Sequence, residues 1–423
     1  MFTIQDTELI QLNHQQHQSP LNKVHHHAVL DLPFRSYFLS AVLCSIFALT
    51  IWGAFLNGYI NISLSKLSPS TWHIHEMLFG FAATVAVGFI LTAAQTWTGK
   101  ASIKGVAVLS FITLWLIVRV CLAMSLVAET EVNQSLFLYT AIAFQLIWWL
   151  GSILVFAKLV LSSKNKRNYI FIPLLIALML TNISLLSLDV NGDKALSLHV
   201  ARTAVLLFCL LMGVLGGRVI PFFTVSGAKT SAIQQPNWLT PLITTLSLLG
   251  ILVFFSGYFI QLPFTPATLM ISAGLAHLIR LSYWRTTSTL KISLLWSLHL
   301  SYFSLGLGLI LLGSSYLFVI ESPFYISFSD AIHVITIAAM GLMIFAMMSR
   351  VSLGHTGRAL LPHKLASWIF LLIFISAITR VLMPMFQHSL LGWNISLSAW
   401  LVAASLFLII YIPVLTKPKR NRI

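Results

Sequence analysis

Acidic side chains are almost missing from this chain: Asp and Glu together number 10 in 423 residues, and all charged types make up only 8%. Average globular domains carry roughly 25% charged residues, so this poverty excludes a soluble globular protein. Cysteine is scarce as well. Cys44, Cys121 and Cys209 lie inside apolar runs with no Cys-x-x-Cys spacing, and read as small buried hydrophobes. A cleavable signal is not legible, because the first 34 residues are polar and histidine-rich where an apolar h-region would stand. Composition shows no flexible linker between domains. The surplus of 25 basic over 10 acidic residues is spread through loops between apolar runs. With no folded basic domain, nucleic acid is excluded as a partner, and membrane lipid takes its place.

What is abundant is apolar: 58% hydrophobic residues and a mean hydropathy of +0.91. Apolar runs predict twelve transmembrane helices near residues 36–56, 75–95, 105–126, 136–158, 169–188, 197–217, 238–258, 266–284, 293–313, 328–349, 365–384 and 394–415. The expected fold is therefore an all-α polytopic membrane protein. A polar leader, residues 1–34, without fixed structure precedes a single transmembrane domain, 35–416, and a basic tail, 417–423. An even number of crossings puts both termini on one side. With the N-terminus inside, eighteen of the 25 Lys and Arg residues fall in inner segments and two, Lys66 and Lys194, in outer ones. The positive-inside rule then makes both termini cytoplasmic.

Spans two, six and ten run in the same direction, and each opens with histidine: His73 and His75, His199, His333. His75 precedes Gly99 by 24 residues, as His333 precedes Gly357. The spacing suggests three related four-helix units. Ionisable groups at membrane depth are costly and mark function by default, and imidazole is the commonest protein ligand for transition metals and haem iron. His73, His75, His199 and His333 are thus the candidate metal or haem ligands. Arg119, Arg202 and Arg380, in the same third of their spans, are the candidate partners of haem propionates. Arg202 follows His199 by three residues and is expected on its face. Glu76 is a candidate carboxylate for orienting a ligand or for the helix N-terminus. On a helix, two residues correspond to about 200° of rotation, so His73 and His75 either serve two sites or, with His73 in an extended entry, converge on one. His277, Arg280 and His299 are weaker candidates for a second site. His355 and His363, beside Arg350 and Arg358, suit lipid headgroups.

Three strings carry a family likeness: His73-Ile74-His75-Glu76-Met77-Leu78-Phe79-Gly80-Phe81 through to Trp97-Thr98-Gly99, Gly217-Arg218-Val219-Ile220-Pro221-Phe222-Phe223-Thr224, and Met347-Met348-Ser349-Arg350 through to Gly357-Arg358. In this order they resemble the NnrS family, from about Phe34 to the C-terminus. The resemblance implies a multi-pass protein of the bacterial inner (plasma) membrane that contains haem and copper and is linked to nitric oxide and nitrosative stress. Nitric oxide as a ligand and a quinol or protein electron donor as a partner follow from it. A catalytic residue does not. A more distant similarity, to the main subunit of haem-copper oxidases and nitric oxide reductases, pairs His75 or His73 with His333 around a low-spin haem. Span ten has no His-x-His and span seven no histidine pair, so a haem without the usual copper triad, or a different metal site, is the expectation. The competing function is a transporter of a metal ion or metal complex, with the histidines at its mouth. Carriers of that kind are expected to have inverted repeats, whereas this repeat keeps one orientation.

Overall fold

A bilayer core offers no water to the backbone, so every amide must be satisfied within the segment, and helices are the solution. The computed structural model describes residues 27–61, 66–319, 322 and 325–420, and among these it is built of 12 helices with short 3-10 turns and no strand. They are α1 (Pro33–Leu56), α2 (Pro69–Thr98), α3 (Val106–Val127), α4 (Glu131–Ser162), α5 (Phe171–Val190), α6 (Lys194–Ala228), α7 (Leu239–Ser256), α8 (Ala267–Ser282), α9 (Ser293–Ser314), α10 (Phe328–His355), α11 (Ala366–Met385) and α12 (Ser389–Thr416). The leader up to residue 26 and the last three residues of the tail lie outside the described residues.

Eleven helices are long and apolar enough to cross a membrane. The exception is α8, where a span over 266–284 was expected. Its 16 residues extend about 24 Å at 1.5 Å per residue, short of the roughly 30 Å of hydrocarbon. It is bound tightly to α9 instead: a Cβ on Gly274 would stand 2.5 Å from the Gly306 carbonyl, and one on Gly313 2.8 Å from that of Ala267. Small residues that let two backbones meet are the usual adhesive of membrane helices. Elsewhere the helices outrun their apolar windows. Side-chain caps supply the extra turns: the Thr130, Asp193 and Ser327 side chains accept from Asn133, Leu196 and Asp330 amides at the starts of α4, α6 and α10.

The most enclosed helices are α2, with 83% of its apolar window buried, and α6, α9 and α10 at 67%, against 39% for α1. Three of these four, α2, α6 and α10, are the spans that open with histidine, and they form the centre of the bundle. The two ends of the chain meet. Arg35 at the start of α1 donates to the carbonyls of Leu415 (2.9 Å) and Lys417 (2.7 Å), and the Arg420 amide donates to the Thr356 carbonyl at 3.0 Å.

Candidate functional site

The correspondence of α2 and α10 is structural as well as sequential. Each opens with a short α segment ending at a histidine, Pro69–His75 or Phe328–His333, then passes through a π-helical stretch, Glu76–Ala82 or Val334–Gly341, and resumes as an α-helix. Both close on a left-handed glycine, Gly99 at φ 68° and Gly357 at φ 71°, with a threonine hydroxyl returned to the carbonyl four residues back, Thr98 to Ala94 and Thr356 to Ser352. π-turns inside α-helices are rare and occur frequently at functional sites. Here each begins at the residue after a histidine.

Between α1, α2, α6, α10, α11 and α12 lies a cavity of about 1200 Å³, mouth included, whose wall contains His73, His333, Arg202 and Arg380 among mainly apolar side chains. His73 stacks on Trp52 with ring centres 4.4 Å apart and planes 17° apart, and its Nδ1 is buried without a hydrogen-bond partner. His333 Nδ1 lies 2.6 Å from the Ser329 carbonyl oxygen. A carbonyl only accepts, so Nδ1 carries the proton and Nε2 keeps its lone pair. The cations differ. Arg380 donates to Asp330 at 2.6 Å and lies 5.1 Å from the Trp393 ring, so its charge is already balanced. Arg202 packs 4.5 Å over Phe328 and has no ion pair among the described residues. The pairing around this cavity is therefore His73 with His333, although the 24-residue spacing puts His333 in register with His75.

His75 points elsewhere, as two residues along a helix require. It is fully buried, and its Nδ1 lies 3.1 Å from Glu76 Oε1. Glu76 Oε2 in turn sits 3.1 Å from Arg119 Nε and accepts from the Cys44 thiol at 3.2 Å, while Arg119 Nη2 donates to the Gln145 side chain at 3.2 Å. Arg119 is thus the counter-ion of Glu76 and not part of the cavity wall. A Cβ on Gly80 would meet Cys44 Sγ at 2.9 Å, Glu76 Oε2 at 3.0 Å and Arg119 Nη1 at 3.1 Å, so only glycine lets α2 pass this cluster.

His199 also departs from expectation. Its Nε2 donates to the Phe255 carbonyl at 3.2 Å, and its ring stacks on Phe254 at 4.5 Å. It packs against α7, while Leu198, Ala201 and Arg202 of the same helix line the cavity. Residues three apart differ by about 60° around a helix, and at the edge of the cavity that is enough to separate His199 from Arg202. The histidines therefore do not share one pocket: two line the cavity, and two have partners outside it.

The weaker candidates are hydrogen-bonded core. His277 Nδ1 meets the Tyr302 hydroxyl at 2.8 Å, and Arg280 donates to the Gly213 carbonyl and the Thr240 hydroxyl. His299 is held between Thr224 and Thr286. His355 lies 5.7 Å from the Phe34 ring, and His363 accepts from the Leu365 amide in an exposed loop. Among the described residues, no three His, Cys, Asp or Glu side chains gather as a metal-binding group. Sequence reasoning missed Trp52, Ser329, Asp330, Cys44 and Gln145. Asp330 alone carried a signal, as an acid three residues before the histidine of span ten.

These features define a polytopic helical membrane protein whose central histidine-bearing helices enclose an apolar cavity with two imidazoles and two guanidinium groups. The family model described as NnrS protein matches residues 28–419, and the chain belongs to the NnrS family. Membership supports a membrane protein associated with the response to nitric oxide. No curated protein matches the chain.

Proposed function

We propose that this is an inner-membrane haem protein of the nitric oxide response, multi-pass with both termini cytoplasmic, in which His73 and His333 would hold the haem. The observation that carries this reading is the shared cavity, where two imidazoles from different helices line one apolar space. The enclosed part of the cavity is about 220 Å³, below the roughly 300–1,000 Å³ of small-molecule sites, so a group as large as haem would extend into the open mouth between the helices. His333 is prepared for the role by Ser329, which fixes its tautomer and leaves Nε2 free. The Nδ1 of His73 has no competing partner, and Trp52 holds its ring plane. Arg202 supplies the cation for an anionic edge. Arg380 offers a further donor whose charge Asp330 already offsets.

Haem iron binds nitric oxide and accepts or passes single electrons. With two imidazoles lining one cavity, both would be engaged in holding the group, which favours an electron-transfer role over direct binding of the gas. Copper does not fit in the same way. Among the described residues no three His, Cys, Asp or Glu side chains gather to hold it.

The test is the absorption spectrum and haem content of purified protein. His73→Ala and His333→Ala are each expected to lose the Soret band or shift it, whereas His75→Ala and His199→Ala retain the wild-type ligation. An unchanged spectrum in both of the first two variants overturns the assignment.

A further inference from the structure

A second polar region lies outside the cavity, in the bundle formed by α1 to α5, and the proposed function makes no use of it. It begins at His75, Glu76, Arg119 and Cys44, and Gln145 carries it onto α4. Along that helix, Trp148, Trp149 and Ser152 follow at spacings of three and four, on one face. Trp149 Nε1 donates to Asn182 of α5 at 2.8 Å, and the Tyr37 ring of α1 lies 6.3 Å from that of Trp148. Gln145, Trp148, Trp149, Ser152 and Asn182 are all at most 1% exposed.

This stripe is unfinished. Arg119 Nη1, Gln145 Nε2, Trp148 Nε1 and Asn182 Nδ2 are buried donors without a partner, and His75 Nε2 is a buried acceptor without one, since its Nδ1 proton goes to Glu76. Orphaned polar groups are strongly disfavoured in a protein interior, and most of all where no lipid or backbone can pair with them. Other buried groups lack a partner singly, His277 Nε2 among them; what sets the stripe apart is that five such atoms follow one path from α2 through α3 and α4 to α5. The missing partner must both donate and accept, since the orphans include both kinds. It must be neutral, since Glu76 and Arg119 already balance one another. It must be small, since the surrounding side chains are packed closely enough that even a Cβ at position 80 would crowd them.

We propose that this stripe is an internal hydration site, in which ordered water molecules are held by His75, Arg119, Gln145, Trp148 and Asn182 within the first helices of the bundle. A buried water makes about three hydrogen bonds, so two or more molecules are needed to satisfy the five atoms. The site does not depend on haem, and its occupancy is expected to be the same in the loaded and the haem-free protein.

Radiolytic footprinting of the full-length protein in ¹⁸O-labelled water tests it, because hydroxyl radicals born from bound water oxidise the side chains beside them. Cys44 and Trp148 are the reporters, with Cys209 and Trp284, equally buried but outside the stripe, as controls. Cys44 and Trp148 are expected to be oxidised severalfold faster than their controls, with and without haem. Gln145→Leu is expected to bring both towards the control rates. Equal rates for reporters and controls in the wild-type protein overturn the proposal, as does unchanged labelling in a folded Gln145→Leu variant. The wild-type comparison decides alone if that variant does not fold.

Discussion

Two residues separate His73 from His75, and that short distance divides the chemistry of α2 in two. One imidazole faces a cavity among apolar walls, and the other is locked to a carboxylate that is itself locked to a guanidinium. Helical rotation offered opposed rings as one of two readings, and the structure selects it by placing His73 within the helical turn Pro69–His75 and not in an extended entry. Which of them meets His333 was not legible, because the 24-residue spacing aligns His333 with His75, whereas α10, packed against α9 and α11, lines the cavity with His333 beside His73. The buried Glu76–Arg119 pair, 3% and 8% exposed, makes its own prediction. Removing one partner of such a pair strands the other charge, at a cost of about 3–5 kcal/mol. Glu76→Ala and Arg119→Ala are each expected to lower the unfolding temperature sharply in detergent, and the double variant Glu76→Leu with Arg119→Met to lower it less than either. Additive losses in that cycle would show that the pair is not coupled.

At the scale of the helix, most elements could be read from apolar periodicity, and all twelve expected runs are helical. Their ends could not, since caps and polar residues extend α4 and α6 beyond the hydrophobic window, and α8 stops short because its partner, not the bilayer, sets its length. The π stretches of α2 and α10 were invisible for a different reason. They change the hydrogen-bond register without changing the polarity of the residues, so no hydropathy signal marks them. A π stretch holds an extra residue within a helix, and deleting one residue turns what precedes it by about 100°. Deleting Ile337 from Val334–Gly341 is therefore expected to swing His333 out of the cavity and abolish the wild-type Soret band while leaving the protein in the membrane. Retention of the band would mean that the register of α10 does not position its histidine.

At the scale of the whole molecule, the charge bias and the helix count bear on one another. If α8 reaches both interfaces, the termini share a side, and the eighteen-to-two distribution of basic residues makes that side cytoplasmic. A fluorescent protein fused after Ile423 is then expected to fold and fluoresce, and a periplasm-dependent phosphatase at the same place to stay inactive. The reverse pair of results would mean an odd number of crossings, with α8 the helix at fault.

The Arg35 clasp on Leu415 and Lys417 carries a consequence for biogenesis. Because α1 and α12 both contribute to the wall around His73 and His333, the chamber closes only once the earliest and the latest of the twelve helices are both in place. Its occupant is enclosed only after α12 has joined α1, and a chain truncated before Ser389 would leave that side of the wall open.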